Sequence, residues 1–104
     1  MYKGGTVYIL SSVSKRVLYT GVTSDLERRM IEHKSKAFPG SFSAQNNCCQ
    51  LVYYKHFGSI EEAIAEEKRI KGGKRKQKES LIAGINPNWS DLSLTLTDWW
   101  PEQW

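Results

Sequence analysis

The spacing of apolar and polar positions changes several times along the chain, and each change marks an element. Thr6 to Ser12 ("TVYILSS") is rich in β-branched and aromatic residues, which predicts a strand. "VSKR" supplies a turn, and Val17 to Val22 ("VLYTGV") is the returning strand. The spacing then becomes helical. Ser24 and Glu27 have the separation of a capping box, and the helix they open is expected to reach about Lys36. "AFPGSFSAQNN" reads as a loop, and Gln50 to Phe57 ("QLVYYKHF") as a third strand. Ser59 and Glu62 repeat the capping signal before a second helix, Ile60 to about Lys71. Gly72-Gly73 interrupts it, and a third helix is expected from Lys74 to about Ala83, with Gly84 as its C-cap. "NPNWSDL" is a turn leading to a short final helix or an ordered tail that holds Trp99, Trp100 and Trp104. The order β-β-α-β-α-α predicts an α+β fold, a three-stranded antiparallel sheet flanked by helices.

Helical spacing also shows which polar residues face inward. In the first helix Leu26, Met30 and Ala37 form an apolar stripe, His33 sits within it, and Arg29 lies one turn earlier on its flank. Arg28 points the other way, towards water. In the second helix Ile60, Ala63, Ile64 and Ile70 define the buried side, and Glu67 falls at its centre, with Glu61, Glu62 and Glu66 off the stripe. An inward carboxylate is costly unless it is paired, hydrogen-bonded or bound to a metal, so Glu67 is either half of an ion pair with Arg29 or a functional group. On the strands, Thr6, Tyr8 and Leu10 share one face of the first, and Tyr19 and Gly21 share a face of the second. With a two-residue turn at Ser14-Lys15, Tyr8 lies opposite Gly21 and diagonal to Tyr19, and Gly21 leaves room for a group to approach the Tyr8 ring.

Composition narrows the reading. A chain of 104 residues suits one domain with one core, here a core over about 6–92 and a Trp-rich tail over 93–104. The net charge is +4. Lys68, Arg69, Lys71, Lys74, Arg75, Lys76 and Lys78 make up seven of the 15 basic residues, an asymmetry that suits a polyanion or a solvated helix face. No apolar run approaches the roughly 20 residues needed to cross a bilayer, and no signal-peptide layout is evident. Cys48 and Cys49 are adjacent and lack further ligands, so they read as reduced thiols of a cytoplasmic protein. Two phenols, a guanidinium, an imidazole and a carboxylate, with a basic segment beside them, match the needs of phosphodiester hydrolysis. Those needs are a cation for the phosphorus oxygens, a carboxylate for a divalent metal and a proton acceptor for water.

"TVY" at Thr6–Tyr8 and "YTG" at Tyr19–Gly21 resemble the two signature triplets of the GIY-YIG nuclease superfamily. "DLERRMIEH", "LVYY", "AIAEEKRIKG" and "LIAGINPNWSDL" extend the resemblance over about Thr6 to Leu92. The closest group is the small single-domain bacterial proteins similar to the nuclease domain of excinuclease C. The resemblance implies a metal-dependent DNA endonuclease, directed by nucleic-acid structure or acting in repair or recombination. A nucleic-acid-binding module that keeps the fold but not a useful rate is the alternative. It implies Tyr8 and Tyr19 as active-site tyrosines, Gly21 as the triplet glycine, Arg29 as the catalytic arginine and His33 at a position held by His or Tyr. Glu67 is then the ligand for Mg²⁺ or Mn²⁺, and Asn86 corresponds to an asparagine many members carry after this helix. In the mechanism this suggests, Tyr8 takes the proton of the attacking water with help from His33, and Tyr19 orients water or phosphate. Lys68, Lys71, Lys74, Arg75, Lys76 and Lys78 would follow the backbone of DNA, or equally of RNA, and a partner protein or the nucleic acid's shape would supply specificity. Thr6 departs from the first glycine of the leading triplet, Gly73 from a frequent aromatic, and Lys55 from a frequent acid.

Overall fold

A computed structural model describes residues 4–94; the three C-terminal tryptophans considered above lie outside the described residues. Its elements are β1 (Gly5–Ser12), β2 (Leu18–Thr23), α1 (Leu26–Ser35), α2 (Phe42–Gln45), β3 (Cys48–Phe57), α3 (Ile60–Lys71) and α4 (Arg75–Ile85). The sheet order is β2-β1-β3, antiparallel throughout. The expected α+β architecture is therefore present, with one short helix added.

β1 is central, and every one of its residues is buried. Its alternation splits the core in two. Val7 and Ile9 pack with Val52, Tyr53, Ala63, Ile70 and Ile82 on the side of α3 and α4. Tyr8 and Leu10 pack with Leu26, Met30, Cys48 and Leu51 on the side of α1. A register shift between Ile9 and Leu10 lets Val52 and Tyr53, consecutive on β3, both join the first cluster.

The hairpin register pairs Tyr8 with Gly21 and Leu10 with Tyr19, as the sequence predicts. The loop is longer than a two-residue turn. The Ser12 N–H donates to the Val17 carbonyl at 3.0 Å, leaving Val13 to Arg16 between them, with Lys15 in the left-handed region at φ 64°. Four loop residues preserve the same facing pairs as two, so the geometry survives.

Capping explains the other boundary differences. Asp25, not Ser24, caps α1: its side chain accepts from the Arg28 N–H at 3.1 Å, while Thr23 Oγ1 accepts from the Asp25 N–H. Lys36 ends this helix in the left-handed conformation, and Ala37 falls outside it and is exposed. Ser59 caps α3 as expected. The α3 stripe runs through Ile60, Ala63, Glu67 and Ile70, which places Ile64 on the flank with 36% of its surface exposed, a correction to the buried position expected. Helix α4 continues through Gly84 to Ile85 and stops at Asn86.

Asn86 ends α4 because its side chain is engaged elsewhere. Its Nδ2 donates to the carbonyls of Val52 and Ser90, and its Oδ1 accepts from the Ser90 N–H. Asp91 completes the strap: Oδ1 accepts from the N–H groups of Leu51 and Ser93, and Oδ2 from Lys34 Nζ at 2.7 Å. β3 is an edge strand, and these two side chains satisfy backbone groups on it. Burial pushes the Asp91 carboxyl up, but the hydrogen bonds from Lys34, Ser93 and Leu51 outweigh it and hold it below its ordinary value.

Candidate active site

The α1 side of the sheet gathers polar groups that no apolar core requires. Tyr8 projects from β1, Tyr19 from β2, and His33 from α1, and their rings form a triangle. Ring centroids are 6.3 Å apart for Tyr8–Tyr19 and 5.7 Å for each tyrosine to His33. The Tyr8 hydroxyl lies 3.1 Å from His33 Nε2, and His33 Nδ1 lies 2.9 Å from Ser43 Oγ. Tyr8 is fully buried, and desolvation pushes its phenol well above the ordinary value; Tyr19 adds to the rise and Arg29 opposes it. Burial lowers His33, and the Arg29 charge lowers it further, against a smaller opposite effect of Glu32. Both shifts keep Tyr8 and His33 neutral, and the contacts suit either imidazole tautomer; the one with its proton on Nδ1 makes the following pair of bonds. Neutral Tyr8 donates to Nε2, and Nδ1–H donates to Ser43 Oγ.

Gly21 serves this geometry differently from the sequence expectation. A Cβ there would collide with Tyr8 Oη and Cζ. The space beside Gly21 is filled by the Tyr8 phenol itself rather than left for an incoming group.

Beside the triangle lies a cleft of about 130 Å³ lined by Tyr19, Arg29, Glu32, His33, Lys36, Phe38, Ser41, Ser43 and Ala44. Arg29 does not pair with Glu67. Its Nε is 3.1 Å from Glu32 Oε1, one turn along α1, and Arg28 reaches the same carboxylate at 3.6 Å while projecting into water. Arg28 and Arg29 thus have the different orientations that helical spacing predicts.

Glu67 stands on the other flank of Tyr19. Its Oε2 is 2.8 Å from Lys71 Nζ, and that ammonium lies 5.9 Å from the Tyr19 ring centroid. Glu67 is mostly buried along the α3 stripe but does not line the cleft. Among the described residues there is no group of three or more His, Cys, Asp or Glu side chains able to enclose a metal. One carboxylate fits a hard divalent ion that keeps its waters and completes its shell with substrate phosphate, and does not fit an all-protein cage.

The basic segment is less uniform than its composition. Lys71 is engaged by Glu67, and Lys78 Nζ donates to the Gly73 carbonyl at 3.0 Å. Arg75 donates to the carbonyls of Lys15 and Arg16, both at 2.6 Å, and to Glu79, clamping α4 to the hairpin loop. Lys68, Lys74 and Lys76 are exposed. Asn86 is buried in the β3 strap described above. Sequence reasoning missed Ser43 and the α2 segment that carries it. The usable signal was Ser41, whose side chain caps α2 by accepting from the Ala44 N–H.

The fold is thus a small α+β domain whose central hairpin presents two phenols beside an arginine and a histidine one helical turn apart. The chain belongs to the GIY-YIG family: the GIY-YIG catalytic domain matches residues 4–80. It is 37% identical over 82 residues to a UPF0213 protein of Cronobacter sakazakii, a span that takes in 75% of this chain and 80% of that protein. A UPF0213 protein of Natronomonas pharaonis is 35% identical over 77 residues, 74% of this chain and 88% of its own length. The solution NMR structure of a UPF0213 protein from Bacillus halodurans superposes with a TM-score of 0.54 at 29% identity, covering 86% of this chain and 93% of that one. Membership implies a nucleic-acid substrate, and nucleases of this family generally use divalent metals. No helix among the described residues is long and apolar enough to cross a membrane.

Proposed function

We propose that this chain is a metal-dependent endonuclease that hydrolyses DNA phosphodiester bonds, acting on structured DNA of the kind met in repair or recombination. The observation that carries this reading is the hydrogen-bonded line Tyr8–His33–Ser43 running beside the Arg29 cleft. In this reading Arg29 turns from Glu32 to a non-bridging phosphate oxygen and holds it in a forked contact as charge develops. Tyr19, at the cleft wall, orients phosphate or water. Tyr8 is too strongly protonated to start as a phenolate, so its role is a relay. As its oxygen takes the proton of an attacking water, its own proton passes to His33 Nε2, which is neutral and ready to accept. In this reading Ser43 Oγ accepts from Nδ1–H, the tautomer that leaves Nε2 open to the proton. Glu67 is the residue that would hold Mg²⁺ or Mn²⁺, after Lys71 has moved aside. When bound, such an ion supplies Lewis-acid charge at the phosphate.

The second reading, a nucleic-acid-binding module without a useful rate, is favoured by two observations. Tyr8 is fully enclosed, and the Glu67 carboxylate is held by Lys71 outside the cleft. One experiment separates the two. Purified chain is incubated with nicked, flapped and branched DNA, and with RNA, with and without Mn²⁺. The nuclease reading expects metal-dependent product from the wild type and none above background from Glu67→Ala. Equal background from both leaves only the binding module.

A further inference from the structure

The segment between α1 and β3 carries two side chains that the proposed chemistry does not use. Phe38 and Phe42 leave 60% and 53% of their surfaces exposed. One lines the cleft and the other packs on a residue that does. Phe38 lines it directly, and Phe42 lies against Tyr19 with ring planes 25° apart and centroids at 6.2 Å. A lone exposed aromatic needs no explanation, whereas two beside a polar cleft define a surface with an apolar demand.

The backbone beneath these rings is anchored. Ser41 caps α2, Ser43 bonds to His33, Asn46 Nδ2 donates to the Phe42 carbonyl, and Lys36 Nζ donates to Asn47 Oδ1. The rings are left in water on a segment that is otherwise tied down. The cleft beside them has one sign in excess: among its lining residues Arg29 and Lys36 stand against the single carboxylate of Glu32. A ligand that meets both demands carries an anionic group for the arginine wall and a flat apolar face for the rings.

We propose that Phe38 and Phe42 form a stacking platform for an unpaired nucleobase whose adjoining phosphate is held at Arg29 and Lys36, so that the chain takes unpaired strands in preference to intact duplex. The proposal rests on the nuclease reading for the identity of the polymer. Its selectivity follows from stacking itself. A base inside a duplex has both faces covered by its neighbours, and only a base that has left the stack can offer a face to phenylalanine. Every base has such a face, so the platform prefers a strand's state over its sequence.

The test uses the full chain in EDTA, so that binding is read without cleavage. The probe is an oligonucleotide carrying 2-aminopurine, offered as a single strand and as a blunt duplex, with anisotropy for affinity and quenching for stacking. Wild type is expected to bind the single strand more tightly and to quench it. Phe38→Leu and Phe42→Leu each weaken single-strand binding by on the order of tenfold, reduce quenching, and leave duplex affinity and the salt dependence unchanged. Phe38→Trp and Phe42→Trp retain the preference. A double leucine variant that binds the single strand like wild type overturns the proposal and leaves the rings to an apolar protein partner. A loss that falls equally on strand and duplex also overturns it, as does a wild type that prefers duplex. The failures separate cleanly. If wild type and Glu67→Ala give only the same background cleavage while the leucine variants lose only single-strand binding, the nuclease reading falls and the platform stands. If cleavage needs Glu67 and the leucine variants bind normally, the platform falls alone.

Discussion

The two flanks of Tyr19 are built on different terms. Towards α1, Tyr8 and Ser43 are buried, His33 is half-buried at the cleft wall, and the three are hydrogen-bonded in line with Tyr8 and His33 kept neutral. Towards α3, Glu67 and Lys71 form an ion pair one helical turn apart, with the lysine half exposed. The first arrangement costs burial of polar groups and is maintained by folding itself. The second is a pair of the kind worth a few tenths of a kcal/mol, and a stronger ligand can exchange it. On the proposed nuclease reading, the enclosed side would supply the proton path before any substrate, and the proposed cation ligand Glu67 is held by the half-exposed Lys71.

Substitutions can break that contrast from either side. The largest effect is expected at Arg29, the cleft's central cation: Arg29→Ala lowers the initial cleavage rate with Mn²⁺ by about 10²-fold or more, with a thermal midpoint close to wild type. Gly21→Val attacks the enclosed flank through Tyr8, and overpacking costs about 1–3 kcal/mol in urea denaturation, accompanied by loss of the Tyr8–His33 bond. Asp91→Ala removes the acceptor for Leu51, Ser93 and Lys34, costing about 1–3 kcal/mol at neutral pH. Because the folded carboxyl lies below its unfolded value, that contribution is present above pH of about 4 and fades as pH falls through the folded value, so wild type and variant converge in acid melts. His33 has the opposite charge type. Its folded pKa lies below about 6.5, so stability declines as pH drops below 6.5 and the unfolded chain takes up the proton first. An NMR titration of the imidazole checks this, and a midpoint at or above 6.5 contradicts the enclosed picture. The smallest effect is at Lys71: Lys71→Met changes stability by less than about 0.5 kcal/mol, yet tightens Mn²⁺ binding measured by calorimetry.

Period and capping made most of the fold legible. Alternation placed Tyr8 opposite Gly21 even though the loop is longer than expected, because facing pairs depend on parity rather than on loop length. Helical spacing chose Arg29 over Arg28 and set His33 beside the sheet. It did not find Glu32, which pairs with Arg29 one turn along the same helix, where the sequence had left an ion pair with Glu67 as one of two alternatives. The α2 segment was invisible for another reason: four residues are too few to show a period. Composition likewise could not tell that Arg75 spends its guanidinium on carbonyls of the hairpin loop rather than on water. Asn86 resembled a family residue by position alone, and its contacts are those of a helix stop and a strand clamp.

The "NPNWSD" run beyond α4 is, in this light, a zipper guard. Without it, the outer margin of the sheet would present Leu51 and Val52 as an open docking rail, and copies of the chain could join there side by side. Any shortened version meant for biophysical work should therefore keep everything through Ser93, or solubility and not chemistry will be the first property to change.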